Sequence, residues 1–172
     1  ALRKLKERGV ISPAIVGVSL KEKILVREYV EGNLLSDEIE AVLKSRKSDL
    51  TDVARYGRAL AQVHRAGFAI GDAKASNVII QNGKVYIADL EQSLENGDAA
   101  WDVAEFLYYT AKLSMKEEKM RVVADEFLKA YVDENGSEIV AKARNTKYLT
   151  PFRPFLTLPM VKTIREVMAK YS

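Results

Sequence analysis

From position 70 to 89 the chain reads Ile-Gly-Asp-Ala-Lys-Ala-Ser-Asn-Val-Ile-Ile-Gln-Asn-Gly-Lys-Val-Tyr-Ile-Ala-Asp. Asp72, Lys74 and Asn77 fall close together on what reads as a short loop, and a second carboxylate, Asp89, follows two apolar runs. Those runs flank Asn82-Gly83, a strong signal for a tight hairpin, because both central positions of such a turn need positive φ. Pairing the runs folds Asp89 back beside Asn77. An amide and a carboxylate are hard oxygen ligands suited to Mg²⁺, which binds through few protein groups together with phosphate oxygens and water. Asp72 is then free to take a proton from an attacking hydroxyl, while Lys74 offsets charge on a moving phosphoryl group. The chemistry expected of this stretch is phosphoryl transfer from a magnesium nucleotide, with Asp72 and Lys74 catalytic and Asn77 and Asp89 binding metal and nucleotide.

Several elements must position these groups. Leu2 and Leu5 read as the end of a helix stopped by Gly9. Residues 11–20 and 23–30 read as strands around a Lys21-Glu22 turn. A short helix over 34–43 has Ser36 or Asp37 as caps, and a polar connection spans 45–48. From Asp49, Leu50, Val53, Gly57, Leu60, Ala61 and His64 keep helical spacing until Gly67. After Asp89 only a short segment precedes a helix begun at Asn96 or Asp98, with Trp101, Ala104, Leu107, Tyr108 and Ala111 on one stripe. Residues 115–132 read as an amphipathic helix broken by Asn135-Gly136, and Ser137 caps another through Ala143. Pro151, Pro154 and Pro159 predict an extended crossing before a last helix over 160–170.

With 172 residues and 48% apolar content, the chain can bury one core or two small lobes sharing a cleft. The absence of Cys removes disulfides and thiolate metal sites, which fits a cytoplasmic protein. His64 is the single His, which leaves a Ser-His-Asp triad or a multi-His metal site little to work with. Its place on an apolar stripe predicts a hydrogen-bonded core residue. No apolar run is long enough to span a bilayer, and residues 1–8 are too charged for a signal peptide. The net charge of +3 is uneven: beyond Glu138, seven Lys and Arg residues face Glu166 alone, a basic tail suited to an acidic partner or RNA.

Asp72-x-Lys74-x-x-Asn77 followed by Asp89 resembles the catalytic loop and metal-binding Asp of the protein-kinase superfamily. Within it, the chain is most similar to the small atypical archaeal kinases of the RIO family and of the kinase subunit of the KEOPS tRNA-modification complex. Asp89-Leu90-Glu91-Gln92 resembles the RIO pattern, with Gln three residues after the metal Asp, more than Asp-Phe-Gly. The resemblance covers about residues 10–110. It implies an α+β, protein-kinase-like fold: a truncated β-containing N-lobe and hinge over 1–32, and a mainly helical C-lobe over 33–172.

The same resemblance implies an ATP- and Mg²⁺-dependent phosphotransferase, either an atypical Ser/Thr protein kinase or a kinase-like ATPase. Main-chain groups at Glu28 and Val30 would meet the adenine edge, with Gly32 turning the chain into the large lobe. His64 falls where the kinase pattern has a packing His, and Asp102 where it has an Asp that holds the catalytic-loop backbone. Both are expected as structural support. The expected partners are ATP, a protein substrate and a ribosome- or tRNA-linked complex reached through the basic C-terminal region, with no membrane.

The departures from the kinase pattern are also specific. Arg27 stands beside the adenine pocket where an apolar or small residue is usual, Ile70 and Gly71 replace the His and Arg before the catalytic Asp, and Glu91 replaces a Gly. There is no Gly-x-Gly-x-x-Gly, no strand Lys and no pairing helix Glu. The reading therefore expects the chain to begin inside the small lobe. Two alternatives stay open: a small-molecule kinase of the aminoglycoside or choline type, which the short segment after Asp89 suits, and a non-catalytic kinase-like scaffold, which the missing phosphate clamp suits.

Overall fold

The structure is a computed structural model that describes residues 5, 9–44, 49–114 and 116–172. The expected helix before Gly9, apart from Leu5, lies outside the described residues, as do the polar connection at 45–48 and Met115. Leu5 is buried and its carbonyl accepts the Val10 N–H at 3.1 Å.

β1 (Ile15–Ser19) and β2 (Ile24–Arg27) form an antiparallel pair, shorter at both ends than the strands expected over 11–20 and 23–30. Pro13 lacks the N–H a ladder needs. At the far end the Ser19 hydroxyl bonds Glu22 at 2.8 Å and draws the chain into a turn, with Lys23 at φ +55°. β3 (Asn33–Leu34) then joins β5 (Val78–Gln81) and β6 (Lys84–Ile87) in an antiparallel sheet ordered β3-β5-β6. Gly32 is required by close approach: a Cβ there would lie 2.4 Å from the Ile80 carbonyl oxygen. The Asn82-Gly83 turn has φ of +49° and +74°, as the hairpin demands.

The helical part comprises α1 (Leu35–Leu43), α2 (Thr51–Arg65), α3 (Ala99–Thr110), α4 (Glu117–Asn135), α5 (Glu138–Ala143), α6 (Thr146–Leu149) and α7 (Leu158–Lys170). Several expected caps are corrected. Leu34, not Ser36 or Asp37, holds the N-cap position of α1, and no side chain caps it. Asp98 holds the N-cap position of α3, one of the two expected starts, although its carboxylate accepts the Tyr148 hydroxyl at 2.8 Å instead of a helix N–H; the other, Asn96, sits in a turn at φ +58°. Ser137 makes no side-chain cap to α5. The extended crossing expected at the prolines is also overturned. α6 and a 3₁₀ turn over Arg153–Phe155 occupy that stretch, and Pro159 lies in the first turn of α7, capped by Thr157. A fixed φ and a missing N–H suit proline to a first turn as well as to extended chain. β4 (Phe68–Ala69) and β7 (Leu94–Glu95) form a further short pair that brackets the loop between them.

The core lies where α2 crosses α4 and α3. Phe106 and Phe127 pack with tilted rings, centroids 4.1 Å apart, and Tyr56 packs 5.1 Å from Phe106. Gly57 makes the crossing possible, because a Cβ there would come 2.6 Å from the Phe127 carbonyl oxygen. Helices and small antiparallel sheets give the α+β class expected. Among the described residues, no helix is long and apolar enough to cross a membrane.

Candidate active site

The loop from Ile70 to Asn77 connects β4 to β5, and buried side chains bind its backbone almost group by group. Asp102, fully buried on α3, accepts the Ile70 N–H at 2.6 Å through Oδ2 and the Gly71 N–H at 2.8 Å through Oδ1. The Gly71 carbonyl receives Trp101 Nε1–H at 3.1 Å. Glu105, one turn further along α3, accepts the Ala73 N–H at 2.8 Å, and the Tyr56 hydroxyl of α2 donates to the Ala73 carbonyl at 3.0 Å. A 3₁₀ turn over Ala75–Asn77 then delivers the chain into β5. Gly71 has φ +82°, and a Cβ there would meet the Gln92 carbonyl oxygen at 2.9 Å. Left-handed backbone and close packing on Gln92 together account for glycine directly before Asp72.

Asp102 is itself supported from behind. His64 Nε2 lies 2.9 Å from Asp102 Oδ2, and because a carboxylate only accepts, Nε2 carries the shared proton. His64 Nδ1 then receives the Tyr131 hydroxyl at 2.6 Å, and the Tyr131 oxygen in turn accepts Asn135 Nδ2–H at 3.0 Å. His64 thus lies in a buried polar chain that ends on the loop.

Asp72 and Lys74 form an ion pair with Nζ 2.6 Å from Oδ1, and the bond to Asp72 raises the ammonium pKa of Lys74. Lys74 Nζ also lies 5.1 Å from the centre of the Tyr109 ring, whose face is shared by Lys112 at 4.1 Å. Tyr109 lines a cavity of about 300 Å³ together with Ala75, Ser76, Asp37 and Glu40.

The hairpin brings Asp89 to Asn77. Val78 pairs with Ile87, and the Ala88 N–H donates to the Asn77 carbonyl at 2.8 Å. Asn77 Nδ2–H donates to the Asp72 carbonyl at 3.1 Å, so the side-chain oxygen is the end that remains for a cation. Asp89 Oδ1 accepts the Glu91 N–H at 3.1 Å. Glu91 is not among the residues with positive φ, so the replacement of Gly at that position brings no left-handed strain. Asn77, at the end of the 3₁₀ turn before β5, and Asp89, two residues after β6, supply hard oxygen donors of the kind suited to Mg²⁺, which keeps most of its shell for water and phosphate.

At the strand leaving β2, the Glu28 N–H donates to the Ala14 carbonyl at 2.8 Å, and Glu28 Oε2 accepts the Ala14 N–H at 3.0 Å. Val30 is buried. Arg27 reaches across to donate from Nη1 to the Ala88 carbonyl, next to Asp89. The loop residues and the hairpin end are therefore brought together, while Glu28 and Val30 remain on a separate segment joined to them through Arg27.

Glu105, Tyr56 and Trp101 escape a reading of the sequence. Glu105 stands three residues after Asp102, a spacing that puts both carboxylates on one helix face. That spacing is the one signal available from sequence. Burial pushes the Glu105 carboxyl up to about 7; the Ala73 N–H and Lys74 work against this and Asp72 adds to it.

No protein-family model matches the chain. It is 30% identical over 159 residues to the KEOPS complex subunit Bud32 of Pyrococcus abyssi, covering 88% of this chain and 70% of that protein. It is 27% identical to a probable serine/threonine-protein kinase BUD32 homolog of Archaeoglobus fulgidus, covering 78% of this chain and 64% of that protein. A probable bifunctional tRNA threonylcarbamoyladenosine biosynthesis protein of Thermoplasma acidophilum is 32% identical over 107 residues, 62% of this chain and 19% of its own length. The chain spans about two thirds of the first two relatives. With the loop, the hairpin and the supporting α3 arranged on a kinase-like frame, and with that identity sustained over most of the Pyrococcus protein, this chain belongs to the Bud32 family of atypical, protein-kinase-like proteins.

Proposed function

We propose that the chain is an ATP- and Mg²⁺-dependent phosphotransferase, a kinase-like ATPase or atypical Ser/Thr kinase working in a tRNA-linked assembly. The observation that carries the reading is the convergence of Asp72, Lys74 and Asn77 with Asp89 at the base of one hairpin. Asp72 accepts the proton of a Ser/Thr hydroxyl, or of water, as its oxygen bonds the γ-phosphorus. The bond from that phosphorus to the β–γ bridging oxygen breaks, and ADP leaves with the electron pair. Lys74 contacts the moving phosphoryl group and keeps its charge through the Asp72 pair. Asn77 and Asp89 would hold Mg²⁺, which neutralises phosphate charge when bound. Asp102 and His64 hold the loop that presents Asp72.

The adenine edge falls to the Glu28 carbonyl and the Val30 N–H, since the Glu28 N–H is committed to Ala14. The tRNA linkage is supported by the names of the relatives, and the basic residues beyond Glu138 offer such a partner matching charge. Titration calorimetry with ATP, with and without Mg²⁺, tests the reading directly. Mg²⁺-dependent binding that is lost in Asp89→Ala is the expected result, together with turnover reduced about 100-fold or more in Asp72→Asn. Nucleotide binding indifferent to both Mg²⁺ and Asp89 would overturn it.

A kinase-like scaffold is the second reading, favoured by Arg27, whose guanidinium lies against the Ala88 carbonyl beside Asp89. Partner capture unaffected by Asp72→Asn, with no ATP binding, would select it.

A further inference from the structure

The peptide groups on either side of Ala73 join the two residues assigned to the chemistry, Asp72 and Lys74. Ala73 is buried, and it is held from two helices at once. Its N–H donates to Glu105 Oε2 of α3 at 2.8 Å, and its carbonyl accepts the hydroxyl of Tyr56 of α2 at 3.0 Å. Glu105 and Tyr56 are both buried, so neither bond is shared with bulk water.

We propose that Glu105 and Tyr56 form a clamp on Ala73 that sets the orientation of Asp72 and Lys74, making both of them positioning residues for phosphoryl transfer. The inference rests on the phosphotransfer reading. Side chains at successive loop positions turn with the peptide planes between them, so fixing the N–H and C=O of Ala73 fixes the directions in which Asp72 and Lys74 leave the backbone. Asp102 and Trp101 already fix the preceding peptides at Ile70 and Gly71. Asn77 fixes the Asp72 carbonyl that follows them. Glu105 holds the other end of that same Asp72–Ala73 peptide from α3, and Tyr56 holds the next peptide, between Ala73 and Lys74, from a different helix, α2. The loop is therefore referenced to both core helices rather than to α3 alone.

The chemistry of the two groups suits the task. Burial raises the Tyr56 hydroxyl well above its ordinary pKa, chiefly by desolvation and then through Asp102, Glu105 and Asp72, so it remains a donor. Glu105 faces Asp72 and Lys74 from the loop, Asp102 from its own helix, and Tyr56 from α2. An amide at position 105 would preserve an acceptor for the Ala73 N–H, whereas an aliphatic side chain would leave that N–H unpaired.

The test compares Tyr56→Phe, Glu105→Leu and Glu105→Gln in Mg²⁺-ATP turnover, ATP affinity, thermal melting and amide hydrogen exchange at Ala73. The expected result is a kcat about 10-fold to 100-fold lower in Glu105→Leu, a smaller loss in Tyr56→Phe, and ATP affinity held in both. Glu105→Gln recovers most of the loss, and Ala73 exchanges faster in Glu105→Leu but not in Glu105→Gln. If Glu105→Leu does not fold, Tyr56→Phe, which removes one oxygen, carries the test with Glu105→Gln. Unchanged kcat in folded Tyr56→Phe and Glu105→Leu overturns the clamp, as does Ala73 exchange indifferent to position 105. A wild-type chain that neither binds nor turns over Mg²⁺-ATP fails the phosphotransfer reading instead, and exchange at Ala73 still decides whether the clamp holds the loop.

Discussion

Asp102 carries three hydrogen bonds on two buried oxygens, from Ile70, Gly71 and His64. Its replacement by Ala would leave three buried donors without an acceptor, at a cost of about 1–3 kcal/mol for each that finds no water. Asp102→Ala should therefore lose about 3 kcal/mol or more in denaturant unfolding, and should lose turnover even at temperatures where it remains folded. Glu105 makes a different prediction, in pH. Its folded pKa of about 7 lies above the ordinary carboxyl value, so the native state holds a proton that the unfolded chain releases between those two values. Stability contributed at this site is present at low pH and declines as pH rises towards 7. Glu105→Gln removes that slope. Its melting temperature should gain on wild type between pH 5 and pH 8, and parallel curves for the two proteins would refute the assignment.

At the level of elements, the crossing of α2 over α4 sets the floor beneath the loop. Gly57 permits it, with a Cβ that would sit 2.6 Å from the Phe127 carbonyl oxygen and 3.3 Å from Ala130 Cβ. Helix propensity alone predicts that Gly57→Ala stabilises by about 1 kcal/mol. The crossing predicts the opposite sign, a loss of about 1–3 kcal/mol as the helices are forced apart, measurable by urea unfolding. The loop would shift with α2, since Tyr56 is the adjacent residue. Much of this level was legible from local pattern. Helical spacing from Leu50 to His64 and the Asn82-Gly83 turn are short-range signals, and the observed helix and hairpin follow them. Proline was less legible, because its fixed φ serves an extended chain and the first turn of α7 equally well.

Across the whole molecule, burial is uneven. Tyr56, Phe106, Phe127 and Tyr131 are fully buried between helices, whereas every residue of β2 is exposed and β1 is exposed or half-buried. Cooperative stability follows buried apolar contact, so amides of the β1–β2 pair should exchange much faster than those of α2, α3 and α4. Uniform protection across hairpin and helices would contradict this distribution. One link between the hairpin and the rest is Arg27, donating from the end of β2 to the Ala88 carbonyl. Arg27→Ala should lower protection in the hairpin and leave the helical core unchanged.

By itself, the sequence determined the type and order of the groups assigned to the proposed chemistry, because Asp72, Lys74, Asn77 and Asp89 are joined by one short loop and one tight turn whose geometry is local. It also placed Asp102 on a helix, through the stripe that includes Trp101 and Ala104. Only the tertiary structure decided what holds the loop still. Glu105 and Tyr56 meet at Ala73 from helices far apart in the chain, and Gly71 is required by the backbone of Gln92. Beyond the three-residue spacing of Glu105 from Asp102, such partners leave no trace in the sequence, since a buried hydrogen bond depends on where two helices cross rather than on the residues on either side of each partner.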